Sequence, residues 1–154
     1  SHCWGFSAGF RVDITTLIRT IVRMKIVADT NTFLAVALEE PEKTRLIEVT
    51  DGHDLVAPAV LPYEIGNALS SLAKRKILSE QQIAAAWDAA VGVPVELAPI
   101  DTRAALLLAG HFRVYAYDAY FLQCALETKS PLLTLDRGMK RVATQLDITL
   151  MEVS

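Results

Sequence analysis

Four acidic residues carry most of the chemistry that this sequence offers. They lie far apart in the chain, at Asp29, Glu64, Asp118 and Asp136. Each supplies carboxylate oxygens, and no histidine or cysteine stands at metal-ligand spacing beside them. Oxygen donors suit hard divalent ions such as Mg²⁺ or Mn²⁺. In phosphodiester cleavage such ions polarise the phosphate, lower the pKa of an attacking water and stabilise the leaving oxygen.

The elements predicted around these acids belong to the α/β fold class. Short apolar runs alternate with longer helical stretches, which predicts βαβ units and a mainly parallel sheet covered on both faces. We expect strands at 25–28, 54–58, 95–100, 114–116 and 132–135, with 148–153 as a candidate sixth. We expect helices at 31–38, 41–50, 60–76, 79–91, 102–110, 117–128 and 137–145.

In open parallel sheets, ligands bind beyond the carboxyl ends of the strands. Asp29 directly follows the first predicted strand, Asp118 follows the fourth by a residue or two, and Asp136 closes the fifth. These three acids should therefore meet at one edge of the sheet. Asn31 and Thr134 stand beside them in the chain, and we expect both to hydrogen-bond the metal ligands or waters and fix their orientation.

Glu64 comes from a predicted helix rather than from a strand end. It lies in mid-helix within an apolar stripe that includes Leu61, Ile65 and Leu69. Burying an unpartnered charge costs several kcal/mol, so this glutamate should be hydrogen-bonded, paired with a cation or bound to metal. The arginines that offer an ion pair instead are Arg75, Arg103 and Arg113.

Each aspartate also has a purely structural interpretation. Asp29 and Asp118 precede or open helices and are candidates for helix N-caps. Asp136 is a candidate for a cap or for an Asx-turn before Gly138. Asp101 also follows a strand and opens a helix, and we assign it to capping alone.

Composition limits the class of protein. A chain of 154 residues suits one domain with its own core. The net charge of −3 argues against a strongly basic surface for nucleic acid, although it leaves RNA open because bound metal would neutralise the acids. No stretch approaches the roughly 20 apolar residues of a membrane span. Cys3 and Cys124 suggest neither a zinc site nor a disulfide scaffold, which favours the cytoplasm.

The first residues are predicted to stand outside the main domain. Ser1 and His2 are typical of a remnant of tag cleavage. Residues 3–23 are interpreted as an N-terminal extension, in which Asp13 precedes the apolar pattern of a capped amphipathic helix. The main domain is predicted to span residues 24–154.

Four segments resemble the PIN domain, and within it the VapC-like toxins of toxin–antitoxin pairs. They are ADTN at 28–31, PAVLPYEIGNAL at 58–69, YDAYFLQCA at 117–125 and LTLD at 133–136. The resemblance implies a three-layer α/β/α sandwich and an endoribonuclease that depends on Mg²⁺ or Mn²⁺. By matching position, it also implies that the acidic metal-binding set is Asp29, Glu64, Asp118 and Asp136, with Asn31 and Thr134 as polar companions.

The leading hypothesis is a toxin that cleaves RNA as a homodimer and is held inactive by an antitoxin protein. One alternative is a PIN nuclease of RNA processing or decay without an antitoxin. Another is a non-catalytic binding domain that retains the fold. A phosphatase using Asp29 as an aspartyl nucleophile ranks low, because Asn31 stands where an Asp-x-Asp loop has its second acid.

Overall fold

The computed structural model describes residues 13, 14 and 23–153. The amphipathic helix predicted after Asp13 lies outside the described residues from the position after Ile14 onward. The strands are β1 (Lys25–Ala28), β2 (Asp54–Pro58), β3 (Glu96–Ala98) and β4 (Leu132–Leu133). The helices are α1 (Thr30–Ala37), α2 (Lys43–Thr50), α3 (Leu61–Lys74), α4 (Glu80–Val91), α5 (Thr102–Phe112), α6 (Ala116–Thr128) and α7 (Arg137–Gln145).

The four strands form one sheet in the order β3-β2-β1-β4, and every pairing is parallel. Strand β1 is therefore central, paired with β2 on one side and β4 on the other. Helix α1 contacts α2, α3 and α4, and α3 also contacts α4, whereas α6 packs on β1 and β2 and contacts α5 and α7. The structure confirms the predicted α/β/α class with a parallel central sheet flanked by helices.

The central strands form the heart of the core. Ile26, Val27 and Ala28 of β1 and both leucines of β4 are completely buried. Such uninterrupted apolar runs are typical of parallel strands covered on both faces. Cys124 of α6 is buried among them as predicted, and desolvation raises the pKa of its thiol to about 11. This cysteine is therefore a packing residue.

The strand predicted at 114–116 is wrong. Arg113 ends α5 in the left-handed region, with φ of 55°, and Val114 donates its N–H to the Ala109 carbonyl. Helix α6 then begins at Ala116. Asp118 consequently lies in the first turn of a helix and follows no strand.

Three further strands are shorter than predicted. Strand β3 covers only Glu96–Ala98 and β4 only Leu132–Leu133. The candidate strand at 148–153 is reduced to a single parallel bridge between Leu132 and Leu150. None of the described helices is long and apolar enough to cross a membrane.

The assignment of Asp101 to capping is confirmed. Its Oδ1 accepts a hydrogen bond of 3.0 Å from the backbone N–H of Ala104 in the first turn of α5. The side chain is exposed and belongs to none of the acid pairs described below. Asp101 therefore offers a structural aspartate against which the others can be compared.

Replacing Asp101 by alanine should lower the free energy of unfolding by about 1 kcal/mol, because a backbone donor at the start of α5 loses its acceptor. Urea titration of Asp101→Ala and Asp101→Asn measures the effect. Asparagine keeps an acceptor oxygen and should restore most of the loss. Equal midpoints for parent and alanine variant would contradict the capping role.

Candidate active site

Asp29 lies at the carboxyl end of β1 and is only 4% exposed. Its Oδ1 accepts hydrogen bonds from the backbone N–H and the hydroxyl of Thr32, at 3.0 and 2.7 Å. Its Oδ2 accepts from the hydroxyl of Thr134, at 2.5 Å. The Thr32 backbone bond makes Asp29 the N-cap of α1. The structural interpretation of Asp29 is thus correct, and both carboxylate oxygens are held in a fixed orientation.

Thr134 connects Asp29 to Asp136. Its side chain is 1% exposed, and its oxygen also accepts the backbone N–H of Asp136 at 3.0 Å. Asp136 in turn caps α7, since its Oδ1 accepts from the N–H of Met139 at 2.7 Å. No described residue donates to Asp136 Oδ2. This oxygen is available to a ligand.

Glu64 lies in the first turn of α3, just beyond the carboxyl end of β2. The prediction of a mid-helix position is corrected, because α3 begins at Leu61. Glu64 is half-buried, and its Oε2 accepts a 2.6 Å hydrogen bond from the hydroxyl of Thr30. Thr30 directly follows Asp29 in the chain. This bond therefore ties the start of α3 to the start of α1.

Asp118 is half-buried in the first turn of α6. The capping interpretation is wrong for this residue, because Tyr115 occupies the N-cap position. Among the described residues, none donates a hydrogen bond to its carboxylate. Both oxygens of Asp118 are therefore available to a ligand or a water.

The four carboxylates are close enough to repel one another. Burial is the main cause that raises the pKa of Asp29, and the nearby charge of Asp136 adds to it against the threonine hydrogen bonds. Burial also raises the pKa of Glu64, with Asp118 and Asp29 as further causes. The pKa of Asp118 is raised by burial and then by Asp136 and Asp29. Like-charge repulsion thus links the four acids, whereas their role as one metal-binding set stays a prediction.

Within residues 13, 14 and 23–153, no basic side chain forms an ion pair with these acids. None of the ion pairs within the described part of the chain includes any of the four carboxylates. The alternative in which Glu64 pairs with Arg75, Arg103 or Arg113 is not observed. Carboxylates gathered without a basic partner fit a site that attracts a cation from solution.

The donor set fits a hard divalent ion that keeps much of its water. The site oxygens that accept no hydrogen bond from the described residues are carboxylate oxygens of Glu64, Asp118 and Asp136. In the described residues, however, no three acidic, histidine or cysteine side chains are already arranged to hold a metal. Mg²⁺ is commonly bound by one or two carboxylates, several waters and substrate phosphates, which matches an open arrangement of this kind.

Sequence reasoning missed two threonines, and its expectation for Asn31 stays a prediction. Thr30 and Thr32 are buried and orient Glu64 and Asp29, respectively. Two threonines in the first turn of a helix behind a capping aspartate were the available signal. Asn31, between them, is exposed, and its side chain makes no hydrogen bond within the described residues. It lines, with Asp136, a groove of about 530 Å³.

The model of the PIN domain matches residues 26–145, and the chain therefore belongs to the PIN domain family. PIN domains are generally nucleases, and the family generally uses divalent metal ions. The matched range contains all four acids and both predicted companions. No curated protein is similar enough in sequence to match this chain.

Two solved structures share the fold. PAE2754 of Pyrobaculum aerophilum superposes with a TM-score of 0.60 at 19% identity, over 77% of this chain and 79% of that one. VapBC2 of Rickettsia felis, which was solved bound to a DNA fragment from the VapBC2 promoter, gives a TM-score of 0.58 at 14% identity. That match covers 82% of this chain and 97% of the other. At such identities the similarity concerns the fold.

The raised pKa values predict that the metal-free protein becomes less stable as pH rises. The folded-state pKa of Asp118 lies above its unfolded value, so the folded state binds the extra proton between the two. The stabilisation from the protonated Asp118 is fully present at pH values below the pKa of the unfolded state. It is lost as the pH rises through the pKa of the folded state. Asp118→Asn should therefore stabilise the protein in EDTA at about pH 7, and stabilise it less at about pH 5.

Urea titrations of parent and Asp118→Asn at both pH values measure this difference. Asp88→Asn is the matched control, because it removes an exposed carboxylate on α4 that lies outside the site. A benefit of Asp118→Asn that is the same at both pH values would mean that the Asp118 carboxylate is not electrostatically strained.

Proposed function

We propose that this chain is an endoribonuclease that depends on Mg²⁺ or Mn²⁺. The metal-binding residues in this proposal are Asp29, Glu64, Asp118 and Asp136. The observation that carries it is that nearby carboxylates raise the pKa of Asp29, Glu64 and Asp118, while no ion pair within the described residues includes any of the four acids. The family's general nuclease activity supports the reaction class.

The bound ion would polarise the scissile phosphate and lower the pKa of a water. The protein's part is to position oxygens. Asp29 is fixed by hydroxyls on both sides, and Glu64 is turned inward by Thr30. Asp118 receives no hydrogen bond from the described residues and can accept one from the attacking water. Thr134 holds Asp29 and the backbone of Asp136 at a constant separation.

We further propose that this nuclease is the toxin of a toxin–antitoxin pair acting in the cytoplasm. The similarity in fold to VapBC2, across nearly all of that chain, supports the assignment. A short gene immediately upstream that encodes a small DNA-binding protein would support the toxin assignment, and its absence would favour a PIN nuclease of RNA processing.

The exposed Leu106 and Leu107 of α5 support a homodimer, which light scattering tests.

Asp29→Asn and Asp118→Asn should each lower RNA cleavage by at least about 100-fold without unfolding the protein, because each removes a charge that holds the ion. Initial rates on a labelled RNA with Mn²⁺, and with EDTA as blank, measure the effect. Asp101→Asn, which changes a capping aspartate outside the site, should cleave like the parent. Full activity of Asp29→Asn, or cleavage that survives EDTA, would contradict the proposal.

Mn²⁺ should raise the melting temperature of the parent more than that of Asp29→Asn or Asp118→Asn, because binding to the folded state stabilises it by mass action. Thermal melts with and without Mn²⁺ compare the three proteins. An equal rise in all of them would show that the ion binds elsewhere.

Thr134→Val should lower cleavage by about 10- to 100-fold, which is the usual cost of removing a residue that orients a metal ligand. Valine keeps the shape of threonine and loses the hydroxyl that bridges Asp29 and Asp136. Thr134→Ser retains the hydroxyl and should recover most of the activity. Equal rates for the valine and serine variants would rule out the positioning role.

A further inference from the structure

An apolar cavity lies beneath helix α2 and has a volume of about 90 Å³. Its walls come from α1, α2, the central sheet and the loop that follows α4, and none of the four acids is part of them. Of the eight residues of α2, only Leu46 is buried, and the N-cap residue Glu42 makes no side-chain capping hydrogen bond. Few interactions therefore hold α2 over this space, which we call the α2 cavity.

The walls of the α2 cavity offer mainly hydrocarbon surface, from Phe33, Val36, Ile47, Leu55 and Val93. Two threonines also line it, and both of their hydroxyls are already engaged within the protein. Thr32 donates to Asp29 Oδ1 at 2.7 Å, and Thr50 donates to the Leu46 carbonyl at 2.9 Å. Because an ordered water needs two to four polar partners, this lining favours an apolar ligand over water.

Ile47 gives a ligand access to the α2 cavity. This residue lines the cavity and is nevertheless 49% exposed, so it stands between the cavity and solvent. Exposed side chains change rotamer within picoseconds to nanoseconds. The neighbouring Leu46 is 1% exposed and keeps α2 attached meanwhile. A small molecule can therefore enter past Ile47 without unfolding of the helix.

The volume of the α2 cavity limits the size of its ligand. Pockets for drug-sized molecules measure roughly 300 to 1,000 Å³, well above this value. An engineered apolar cavity of about 150 Å³ in another protein binds benzene or xenon. The α2 cavity is smaller and opens at Ile47, so it suits a single small ring, a short branched hydrocarbon or a xenon atom.

Thr32 connects the α2 cavity to Asp29. The backbone N–H and the hydroxyl of Thr32 both donate to Asp29 Oδ1, at 3.0 and 2.7 Å, and Ala28 directly precedes Asp29 in the chain. Thr32 and Ala28 both line the cavity. A ligand there adds dispersion contacts to these two buried residues. Those contacts would hold the first turn of α1, and with it Asp29, more firmly.

We propose that the α2 cavity binds a small neutral apolar molecule, of the class of benzene and short branched hydrocarbons, and that this ligand strengthens the hold of α1 on Asp29. The binding site stands on the lining and volume of the cavity alone. Its effect on Asp29 rests on the proposed metal-dependent nuclease function. Since coupling between two sites is reciprocal, the apolar ligand and the divalent ion should raise each other's affinity.

Thermal melts in EDTA, with and without benzene, test the binding site. Benzene should raise the melting temperature of the parent, because it binds the folded state. Val36→Phe fills the cavity with a side chain and should abolish this rise, and Ile47→Phe at the entrance should reduce it. Val91→Phe, at a half-exposed valine of α4 outside the cavity, is the control and should keep it. A benzene effect of equal size in all four proteins would overturn the proposal.

Crystals of the parent pressurised with xenon locate the ligand directly. The proposal expects a xenon peak between Phe33, Val36 and Leu55, and loss of that peak in Ile47→Phe crystals treated in the same way. Xenon bound only at other places would overturn the proposal, even if benzene raised the melting temperature.

Calorimetric titration with Mn²⁺, with and without saturating benzene, tests the effect on Asp29. Benzene should raise the Mn²⁺ affinity of the parent by about five-fold or more, which is the usual size of coupling between sites. It should leave the affinity of Val36→Phe unchanged. Equal affinities for the parent with and without benzene would overturn the coupling. A parent that binds benzene and no Mn²⁺ would refute the nuclease proposal and the coupling together, whereas the apolar binding site would still stand.

Discussion

The structure depends on keeping the Asp29 carboxylate buried beside three other acids. Burial disfavours its charge and Asp136 adds repulsion, whereas three hydrogen bonds from Thr32 and Thr134 oppose both effects. No basic side chain in the described chain shares this task. Repulsion among these acids is consequently a source of electrostatic strain, which a divalent ion would relieve. The same strain would lower the stability of the fold and favour metal binding.

Helix starts hold these acids in position. Asp29 and Asp136 cap α1 and α7, and Glu64 and Asp118 lie in the first turns of α3 and α6. A helix N-terminus favours negative charge, so four such ends partly offset the mutual repulsion. Capping and metal binding are therefore compatible roles, because a cap uses one oxygen and leaves others available. The buried strands β1 and β4 set the spacing between the caps.

Much of this arrangement could be predicted from the sequence, because β1 and β2 coincide with apolar runs that are typical of buried strands. The wrong prediction of a strand at 114–116 could not have been avoided, because the left-handed backbone conformation of Arg113 produces no periodic pattern in the sequence. Thr30 was overlooked because its partner Glu64 is 34 positions away and only the tertiary fold joins them. Asn31 fits the resemblance, and its exposed side chain lines a groove together with Asp136. The residues that could bind a metal were thus predictable from the sequence, whereas the orientation of their side chains was not.

The central claim is that this sheet edge binds a divalent cation. An anomalous-scattering map from crystals soaked in Mn²⁺ tests it most directly. The account predicts a peak bordered by the carboxylates of Asp29 and Asp118, and loss of that peak in Asp118→Asn crystals soaked in the same way. A map with no peak at this edge, or with manganese bound only at other carboxylates, would contradict the account.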